Sequence, residues 1–306
     1  MLFWSSNAIN RVVDSAVLAK GRKMSAATPQ SSGFRSFGKR VLPTGIKRAL
    51  RSVAFQMLDL RWELPSNVNV RIQNQSDWAI YNEVFVAGDY DPAILLAMET
   101  AKATGELHVL DLGANVGFFT LRCIEMTRRR DLQDLSLRIT AIEGNPNTYR
   151  QLKARVSSQH NLPLFTAING LVGKRLGAAA ISNLEFSGQN HVVADNTGQH
   201  FLVDYIDVEK AVGAGRIGLL KCDIEGAELT FLQNYPRLLE RTEVAVLELH
   251  PQQCDEHECA ELLRRAGLVN QTALAEKSGL TSVIMASREH QPQACKQKAT
   301  GAELDA

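Results

Sequence analysis

The sequence predicts an α/β fold built on a mostly parallel sheet. From Leu107 onward, short runs rich in Val, Ile and Leu alternate with stretches whose apolar residues recur at helical spacing. This alternation is typical of parallel strands joined by crossover helices. The chain has 306 residues, of which 45% are hydrophobic and 22% charged. It is therefore long enough to bury a large core, and a wholly disordered chain, a collagen and a disulfide-stapled mini-protein are excluded.

Composition divides the chain into four parts. Residues 1–44 are rich in Ser, Gly and Lys/Arg, and we expect them to form a flexible basic N-terminal extension. Residues 45–105 should form a helix and a hairpin leading into the core, residues 106–290 the core domain, and residues 291–306 a disordered tail. The formal charge of the whole chain is only +1, so no global field recruits nucleic acid or an anionic membrane.

The part before the core is predicted from two kinds of periodicity. Apolar residues at helical spacing indicate an amphipathic helix through Ile46, Leu50, Val53, Met57 and Leu60. Two alternating runs follow, Val68–Ile72 and Trp78–Val86, and we expect them to pair as an antiparallel hairpin.

Within the core, six strands and four helices are predicted in chain order. The strands are His108–Leu112, Leu137–Ile142, Leu164–Ile168, Gly218–Cys222, Val244–Leu249 and Thr281–Ala286. The helices are Val116–Arg128, Pro146–Ser157, Ala227–Leu232 and Glu256–Ala266. Residues 178–208 contain short alternating runs with Gly and Asn turns, which predict an antiparallel insertion.

A glycine-bearing loop follows the first core strand. Gly113 and Gly117, with Asn115 between them, stand where a buried strand turns into a helix, so a ligand can approach the backbone closely. The spacing is neither that of a Walker loop nor that of the dinucleotide fingerprint. Asp111 precedes the glycines and disfavours a pyrophosphate, whereas a cationic nucleoside such as S-adenosylmethionine fits this loop.

The next two strands end in polar residues that suit a nucleoside. Glu143 closes the second strand, where a carboxylate accepts hydrogen bonds from both ribose hydroxyls, although capping of the following helix is an alternative role. Asn145 follows it directly before Pro146, which opens that helix. Asn169 closes the third strand, and we expect it near the edge of the adenine.

Four ionisable groups close the fourth and fifth core strands. Asp223 and Glu225 follow one strand, and Glu248 and His250 close the other. Because the carboxyl edge of an open α/β sheet holds the ligand crevice, we expect these groups to converge on a substrate. Such charges beside an apolar sheet are costly unless they are paired or used. The alternative is that the two acids cap a helix and that His250 is a surface turn residue.

The motifs DLGANVGFFT, IEGNP, LLKCDIEGAE and ELHP, in this order over about residues 107–288, resemble the FkbM-type family of S-adenosylmethionine-dependent methyltransferases. The resemblance implies a class I methyltransferase (Rossmann-like) fold, with a mostly parallel seven-stranded sheet, helices on both faces and an antiparallel last strand. It also implies O-methylation of a hydroxyl on a sugar or another small metabolite. By motif, the methionine end of the cofactor would lie at Asp111, Gly113, Asn115 and Gly117, its ribose at Glu143, and the acceptor at Asp223, Glu225, Glu248 and His250.

The sequence leaves the activation of the acceptor open. A hydroxyl needs a base as the new bond forms, and His250, with an ordinary pKa near 6.5, is the first candidate, oriented or replaced by Asp223 or Glu225. A divalent cation, Mg²⁺ or Mn²⁺, held by the same groups is the alternative. Cys254, His257 and Cys259 have incomplete zinc spacing, so no metal ligands are assigned to them.

Two other function classes and the cellular context complete the sequence predictions. The alternatives are a nucleic-acid methyltransferase, which the basic extension would serve but which lacks interleaved stacking aromatics, and a nonenzymatic nucleoside-binding protein. We expect acceptor specificity in the hairpin before residue 90, in Asp89–Pro92 and in the insertion of residues 178–208. Five scattered cysteines and no apolar run of membrane-spanning length indicate a cytoplasmic protein with reduced thiols. An Arg- and Ser-rich start also fits organellar import in a eukaryote, and oligomeric state has no sequence signal.

Overall fold

The computed structural model describes residues 60–129, 135–182, 200–277 and 281–289. The predicted basic extension, the helix from Ile46 up to its last residue, and the predicted C-terminal tail lie outside these ranges. Within them, no helix is both long and apolar enough to cross a membrane.

Eleven strands are described in chain order. They are β1 (Leu60–Glu63), β2 (Asn69–Ile72), β3 (Glu106–Leu112), β4 (Ser136–Glu143), β5 (Leu164–Asn169), β6 (Ala178–Ser182), β7 (His200–Asp204), β8 (Ile217–Cys222), β9 (Thr242–Leu249), β10 (Asn270–Lys277) and β11 (Thr281–Ser287).

Within the described ranges, eight α-helices and one π-helix join or precede these strands. They are α1 (Gln75–Tyr81), the π-helix (Asn82–Ala87), α2 (Asp91–Ala101), α3 (Phe118–Arg129), α4 (Pro146–Ser157), α5 (Val208–Val212), α6 (Glu228–Asn234), α7 (Pro236–Glu240) and α8 (Glu256–Arg265).

The central sheet has seven strands in the order β10-β11-β9-β8-β3-β4-β5. Strands β9, β8, β3, β4 and β5 run parallel, and β11 lies antiparallel between β9 and β10. The predicted mostly parallel sheet with an antiparallel last strand is therefore confirmed, and all six predicted core strands are present. The sequence analysis missed β10, since the segment NQTALAEK at the sheet edge carries little apolar signal.

The predicted hairpin of Val68–Ile72 with Trp78–Val86 is wrong in its second half. β2 pairs instead with β1, in antiparallel register, and Trp78–Val86 is helical. The period-two pattern of Trp78–Val86 wrongly predicted a strand, because most residues in both alternating sets are apolar. At helical spacing, Tyr81 stacks on Trp78 and on Phe85, with ring centroids 6.0 and 5.0 Å apart. Asn74 starts the helix by accepting the backbone N–H of Asp77.

Side-chain alternation along the central strands divides the core between the two faces of the sheet. On β3, Leu107 and Val109 belong to a cluster that also contains the apolar faces of α2, α3 and α4, which we call the front core. Leu110 and Leu112 belong to a second cluster packed under α6, α7 and α8, the back core. The segment before residue 106 supplies Val68 and Ile72 to the front core, so it packs on the same sheet as the rest.

The predicted antiparallel insertion is present at its described ends. β6 and β7 pair antiparallel, Ala178 opposite Asp204, and form a separate two-stranded sheet. Residues 183–199 between them lie outside the described ranges.

We predict that His108 makes the fold acid-sensitive. Burial lowers the pKa of His108 to about 4, helped by Arg138 and Arg241, and its Nε2 lies 3.0 Å from Thr140 Oγ1. The unfolded histidine binds a proton near pH 6.5, so stability is full above that pH and falls as the pH drops towards about 4. The loss should reach about 3 kcal/mol.

Urea unfolding of the wild type and His108→Gln across this pH range measures the effect. The variant should lose less stability on acidification, whereas His257→Gln, at an exposed histidine, should follow the wild type. Equal pH slopes for all three proteins would contradict the assignment.

Candidate functional site

The loop after β3 approaches the end of β8 so closely that only glycine fits at its first position. Gly113 has φ +68°, and a Cβ atom there would lie 1.7 Å from the backbone carbonyl oxygen of Asp223. The backbone N–H of Asp223 donates to the carbonyl of Leu112 at 3.1 Å, which continues the pairing of the two strands. The loop and the end of β8 thus form one surface.

The Glu143 carboxylate is held at the end of β4 by backbone donors. Asn115, with φ 50°, donates its N–H to one oxygen at 2.9 Å, and Asn145 donates its N–H to the other at 2.7 Å. Burial raises the pKa of Glu143 to about 7, against the lowering effect of these two hydrogen bonds. The carboxylate is therefore fixed in position, with lone pairs left for ligand hydroxyls.

A cavity of about 260 Å³ lies above these groups, and we call it the nucleoside cavity. Its lining includes Gly113, Asn115 and Glu143 and, from the antiparallel insertion, Ile181 and Tyr205. The glycine cradle, the ribose-type carboxylate and the apolar and aromatic side chains from the insertion fit a nucleoside.

Asn145 and Asn169, both predicted to bind the cofactor, form side-chain hydrogen bonds to backbone groups near Glu143. Asn145 is buried, and its side-chain oxygen caps α4 by accepting the N–H groups of Asn147 and Thr148. Asn169 donates from Nδ2 to the carbonyls of Glu143 (2.8 Å) and Gly144 (2.9 Å). Asn145 also lines the nucleoside cavity, whereas Asn169 does not. Contact of either residue with the cofactor stays a prediction.

Asp111 and Gly117 do not line the nucleoside cavity. Asp111 is fully buried and accepts the hydroxyl of Thr120 at 2.8 Å. Gly117 has φ +93°, and a Cβ atom there would lie 2.8 Å from a methyl carbon of Leu152 on α4. In this structure both residues support the shape of the loop.

Three of the four predicted acceptor-side residues meet beyond the ends of β8 and β9. Asp223, Glu225 and His250 each offer a ligand atom, and these atoms lie within 4.8 Å of one another. No other group of three metal-ligating residues is found in the described ranges. Cys254, His257 and Cys259, whose spacing is incomplete for zinc, are not among the residues of this group.

His250 is held between two carboxylates. Its Nε2 lies 3.4 Å from Glu225, and its Nδ1 lies 3.1 Å from Glu228. Burial lowers the pKa of His250, but the two carboxylates outweigh burial and raise it to about 11. The imidazole therefore carries its proton at neutral pH and is not a surface turn residue.

Glu248 stands apart from this trio. One of its oxygens lies 3.0 Å from the hydroxyl of Tyr90, which also lies 3.2 Å from Glu83, and the other accepts the hydroxyl of Thr281 at 3.0 Å. These groups line a second cavity of about 330 Å³ on the front face, which we call the acceptor cavity. Phe118 supplies part of its apolar wall.

The two cavities share a wall. Asn115, Asp223, Glu225 and Gln253 line both of them. Burial raises the pKa of Asp223 to about 7, Lys221 opposes this rise, and Glu248 and Glu225 add to it. The site thus holds a carboxylate of near-neutral pKa between a nucleoside cavity and a neighbouring cavity, an arrangement suited to proton transfer.

Sequence reasoning missed two charged residues that organise this wall. Lys221, on β8, is 4% exposed and faces both Asp111 and Asp223. Glu228 accepts the N–H groups of Ile224 (3.2 Å) and Gly226 (3.0 Å) as well as binding His250. The signal for Lys221 was a lysine inside an otherwise apolar strand, because a buried ammonium needs partners.

The helix-capping alternative for the two acids is not borne out in the described residues. The cap position of α6 is Ala227, which makes no side-chain capping bond, and Glu228 closes the turn in place of Asp223 or Glu225. Of the segments predicted to set acceptor specificity, Tyr90 lines the acceptor cavity. The insertion lines the nucleoside cavity instead.

Comparison with known families gives one match by sequence. The model of the methyltransferase FkbM domain matches residues 111–267, just over half of the chain. A search of curated proteins finds no match.

Solved structures similar to this chain are distant. The METTL16 MTase domain is 13% identical, with 87% of this chain and 100% of that chain covered and a TM-score of 0.44. EvdMO1 is 16% identical, with 64% of this chain and 41% of that chain covered and a TM-score of 0.37. A SAM-dependent methyltransferase from Leishmania major is 10% identical, with 69% and 74% covered and a TM-score of 0.39. We draw no functional conclusion from likenesses at this level.

We predict that Gly113→Ala destabilises the protein by about 3 kcal/mol or more, because the methyl group meets the carbonyl of Asp223 and the residue keeps a left-handed conformation. Gly177→Ala is the matched control, since Gly177 also has positive φ (+103°) but open space around a Cβ atom. It should cost only about 1–2 kcal/mol. Urea unfolding compares the two, and equal losses would show that the close approach to β8 does not constrain Gly113.

Proposed function

The chain belongs to the FkbM methyltransferase family and is an S-adenosylmethionine-dependent methyltransferase, and we propose that it methylates a hydroxyl oxygen on a sugar or another small metabolite. The observation that carries this proposal is the wall shared by the two cavities, with Asp223 and Glu225 exposed to both of them.

The nucleoside cavity supports binding of S-adenosylmethionine. Its glycine loop lets a ligand approach the backbone, and Glu143 offers a fixed carboxylate to ribose hydroxyls. The acids at the shared wall complement the sulfonium and ammonium charges of this cofactor, and when bound the cofactor supplies an electrophilic methyl group. A phosphate-bearing nucleotide would meet the same acids unfavourably.

The acceptor cavity supports a small hydroxylated acceptor. Glu83, Tyr90 and Glu248 place oxygen atoms in the lining of this cavity, where they can meet hydroxyl groups. Its volume of about 330 Å³ suits a monosaccharide-sized group better than a polymer. This cavity therefore favours a small molecule over a nucleic acid.

We assign the base role to Asp223 instead of His250. The transfer forms a carbon–oxygen bond as the carbon–sulfur bond breaks, and the hydroxyl proton must go to a neighbouring group. His250 is protonated between Glu225 and Glu228 and has no lone pair to offer. Asp223, with a pKa of about 7, can accept the proton, while His250 and Glu225 fix each other beside it.

A divalent cation is the second candidate for activating the acceptor. The ligand atoms of Asp223, Glu225 and His250 lie within 4.8 Å of one another, and carboxylate oxygens are what Mg²⁺ and Mn²⁺ prefer. A cation there would lower the pKa of a bound hydroxyl. Loss of transfer in EDTA, restored by Mg²⁺ or Mn²⁺, would favour the cation over Asp223 as base.

The remaining alternatives have less support. Membership of an enzyme family argues against a nonenzymatic nucleoside-binding protein. Salt-sensitive retention of the full chain on RNA would favour nucleic-acid methylation. We also propose a reducing compartment such as the cytoplasm, because the four cysteines in the described ranges are all free thiols.

We predict that Glu143→Gln weakens S-adenosylmethionine binding by about 30-fold or more, since a charged acceptor of two hydroxyl hydrogen bonds is lost. The wild-type affinity should fall as the pH drops below about 7, where Glu143 gains a proton, and this dependence should be smaller in the variant.

Titration calorimetry at several pH values measures both effects, with thermal unfolding to confirm the fold. Glu99→Gln, at an exposed acid on α2, is the control and should bind like the wild type. If the wild-type protein binds neither S-adenosylmethionine nor its demethylated product, the assigned cofactor site is wrong.

We predict that Asp223→Asn lowers methyl transfer by about 100-fold or more, and that the wild-type rate rises as the pH passes about 7, because the ionised carboxylate accepts the proton. His250→Gln should retain this pH dependence although its rate falls. Radiolabelled S-adenosylmethionine with fractionated metabolites and pure sugars serves as the assay. Loss of the pH dependence in His250→Gln would return the base role to His250.

A further inference from the structure

Lys221 is a buried lysine at the centre of the site that the proposed reaction has not used. It lies on β8 directly opposite Asp111 of β3 in the parallel register, and both side chains point to the front face of the sheet. Its ammonium nitrogen lies 2.7 Å from the carbonyl of Gly113, 3.2 Å from Asp223 and 3.7 Å from Asp111. One side chain thus touches the glycine loop, the sheet and the shared wall.

All three N–H bonds of this ammonium are directed at protein oxygens. The carbonyl of Gly113 takes one, the Asp223 carboxylate a second, and the carbonyl of Leu112, at 3.5 Å, the third. Asp111, at 3.7 Å, is an ion-pair partner and not a hydrogen-bond acceptor of this ammonium. Burial lowers the pKa of Lys221, but Asp223 and Asp111 outweigh burial and raise it above its ordinary value, so the group stays charged. With no donor left for a substrate, Lys221 acts through the groups it holds.

Lys221 borders only one of the two cavities. It lines the acceptor cavity but not the nucleoside cavity, whereas Asp223 lines both. Its 3.2 Å contact with Asp223 therefore holds the carboxylate against a group that borders the acceptor cavity alone. Without this contact, the same carboxylate is free to turn towards the positive charges of a cofactor in the nucleoside cavity.

We propose that Lys221 is the positioning residue that assigns the Asp223 carboxylate to the acceptor rather than to the sulfonium of the cofactor. The inference rests on the proposed function, because it requires S-adenosylmethionine in the nucleoside cavity and a hydroxyl acceptor in the other. Lys221 also links this carboxylate to the carbonyl of Gly113, so one side chain contacts both the cofactor loop and the candidate base.

The charge of the cofactor supplies a readout that a purely structural lysine would not move. S-adenosylmethionine carries a sulfonium, and its demethylated product S-adenosylhomocysteine has a neutral sulfur at the same place. Replacing Lys221 by Met removes a positive charge and frees Asp223, so the ratio of the product's Kd to the cofactor's Kd should rise by about fivefold or more. Methyl transfer should fall by at least about tenfold in the same variant.

The experiment measures both dissociation constants by calorimetry, at about pH 9 to keep carboxylates ionised, for wild type, Lys221→Met, Asp223→Asn and the double variant. The ratio should rise in Lys221→Met and hardly change when the same substitution is made in the Asp223→Asn background. Lys221→Arg keeps the charge and should restore part of the wild-type ratio. Lys153→Met, at an exposed lysine on α4, is the control.

A second variant keeps the test decisive if Lys221→Met alone fails to fold. Lys221→Met leaves the buried Asp111 without its cation, so Lys221→Met with Asp111→Asn removes that uncompensated charge while Asp223 still lacks its lysine. Recovery of thermal stability without recovery of transfer supports the positioning role. Recovery of both would show that Lys221 only neutralises Asp111 and would overturn the proposal.

Two further outcomes would overturn either the proposed role of Lys221 or the proposed function. An unchanged Kd ratio in Lys221→Met, or the same rise in the Asp223→Asn background, would overturn the inference while leaving the methyltransferase assignment intact. If the wild-type protein binds neither S-adenosylmethionine nor S-adenosylhomocysteine, the proposed function itself fails. The two failures are therefore distinguishable from one data set.

Discussion

The approach of the glycine loop to the end of β8 is the contact on which the site depends. Because Gly113 has no Cβ, its backbone can lie against the carbonyl of Asp223, and the ends of β3 and β8 close into a continuous surface. The nucleoside cavity lies on one side of that surface and the acceptor cavity on the other. A larger residue at Gly113 would separate the strand ends and thus the two halves of the site.

The second constraint on the site is electrostatic. Carboxylates outnumber cations there, and each of the two cations is shared between carboxylates: Lys221 between Asp111 and Asp223, and His250 between Glu225 and Glu228. Sharing keeps each cation charged although it is largely buried, and it fixes the carboxylates without neutralising all of them. The surplus negative charge suits a cofactor that carries a sulfonium and is ill suited to a phosphorylated nucleotide.

The segment before residue 106 contributes to chemistry as well as to packing. The π-helix places Glu83, and the turn before α2 places Tyr90, opposite Glu248 of β9 in the acceptor cavity. The same segment adds apolar side chains to the front core, where Arg155 of α4 pairs with Asp77 at 2.6 Å and stacks on Phe118. One wall of the acceptor cavity therefore depends on how this segment docks against the sheet.

The sequence by itself determined the central sheet, the glycine loop and the residues at the strand ends, because continuous apolar runs, glycines and acids at turns are local signals of burial and chain reversal. It did not determine the helical state of Trp78–Val86, where apolar residues satisfy both periods and only packing against Phe118 and the front core decides. Nor did it determine the role of His250, whose charge depends on Glu228, a residue 22 positions away in the chain. The pairing of Lys221 with Asp111 and Asp223 likewise required β3 and β8 to be neighbours, since charge pairing across a sheet follows strand order, which only the tertiary structure decided.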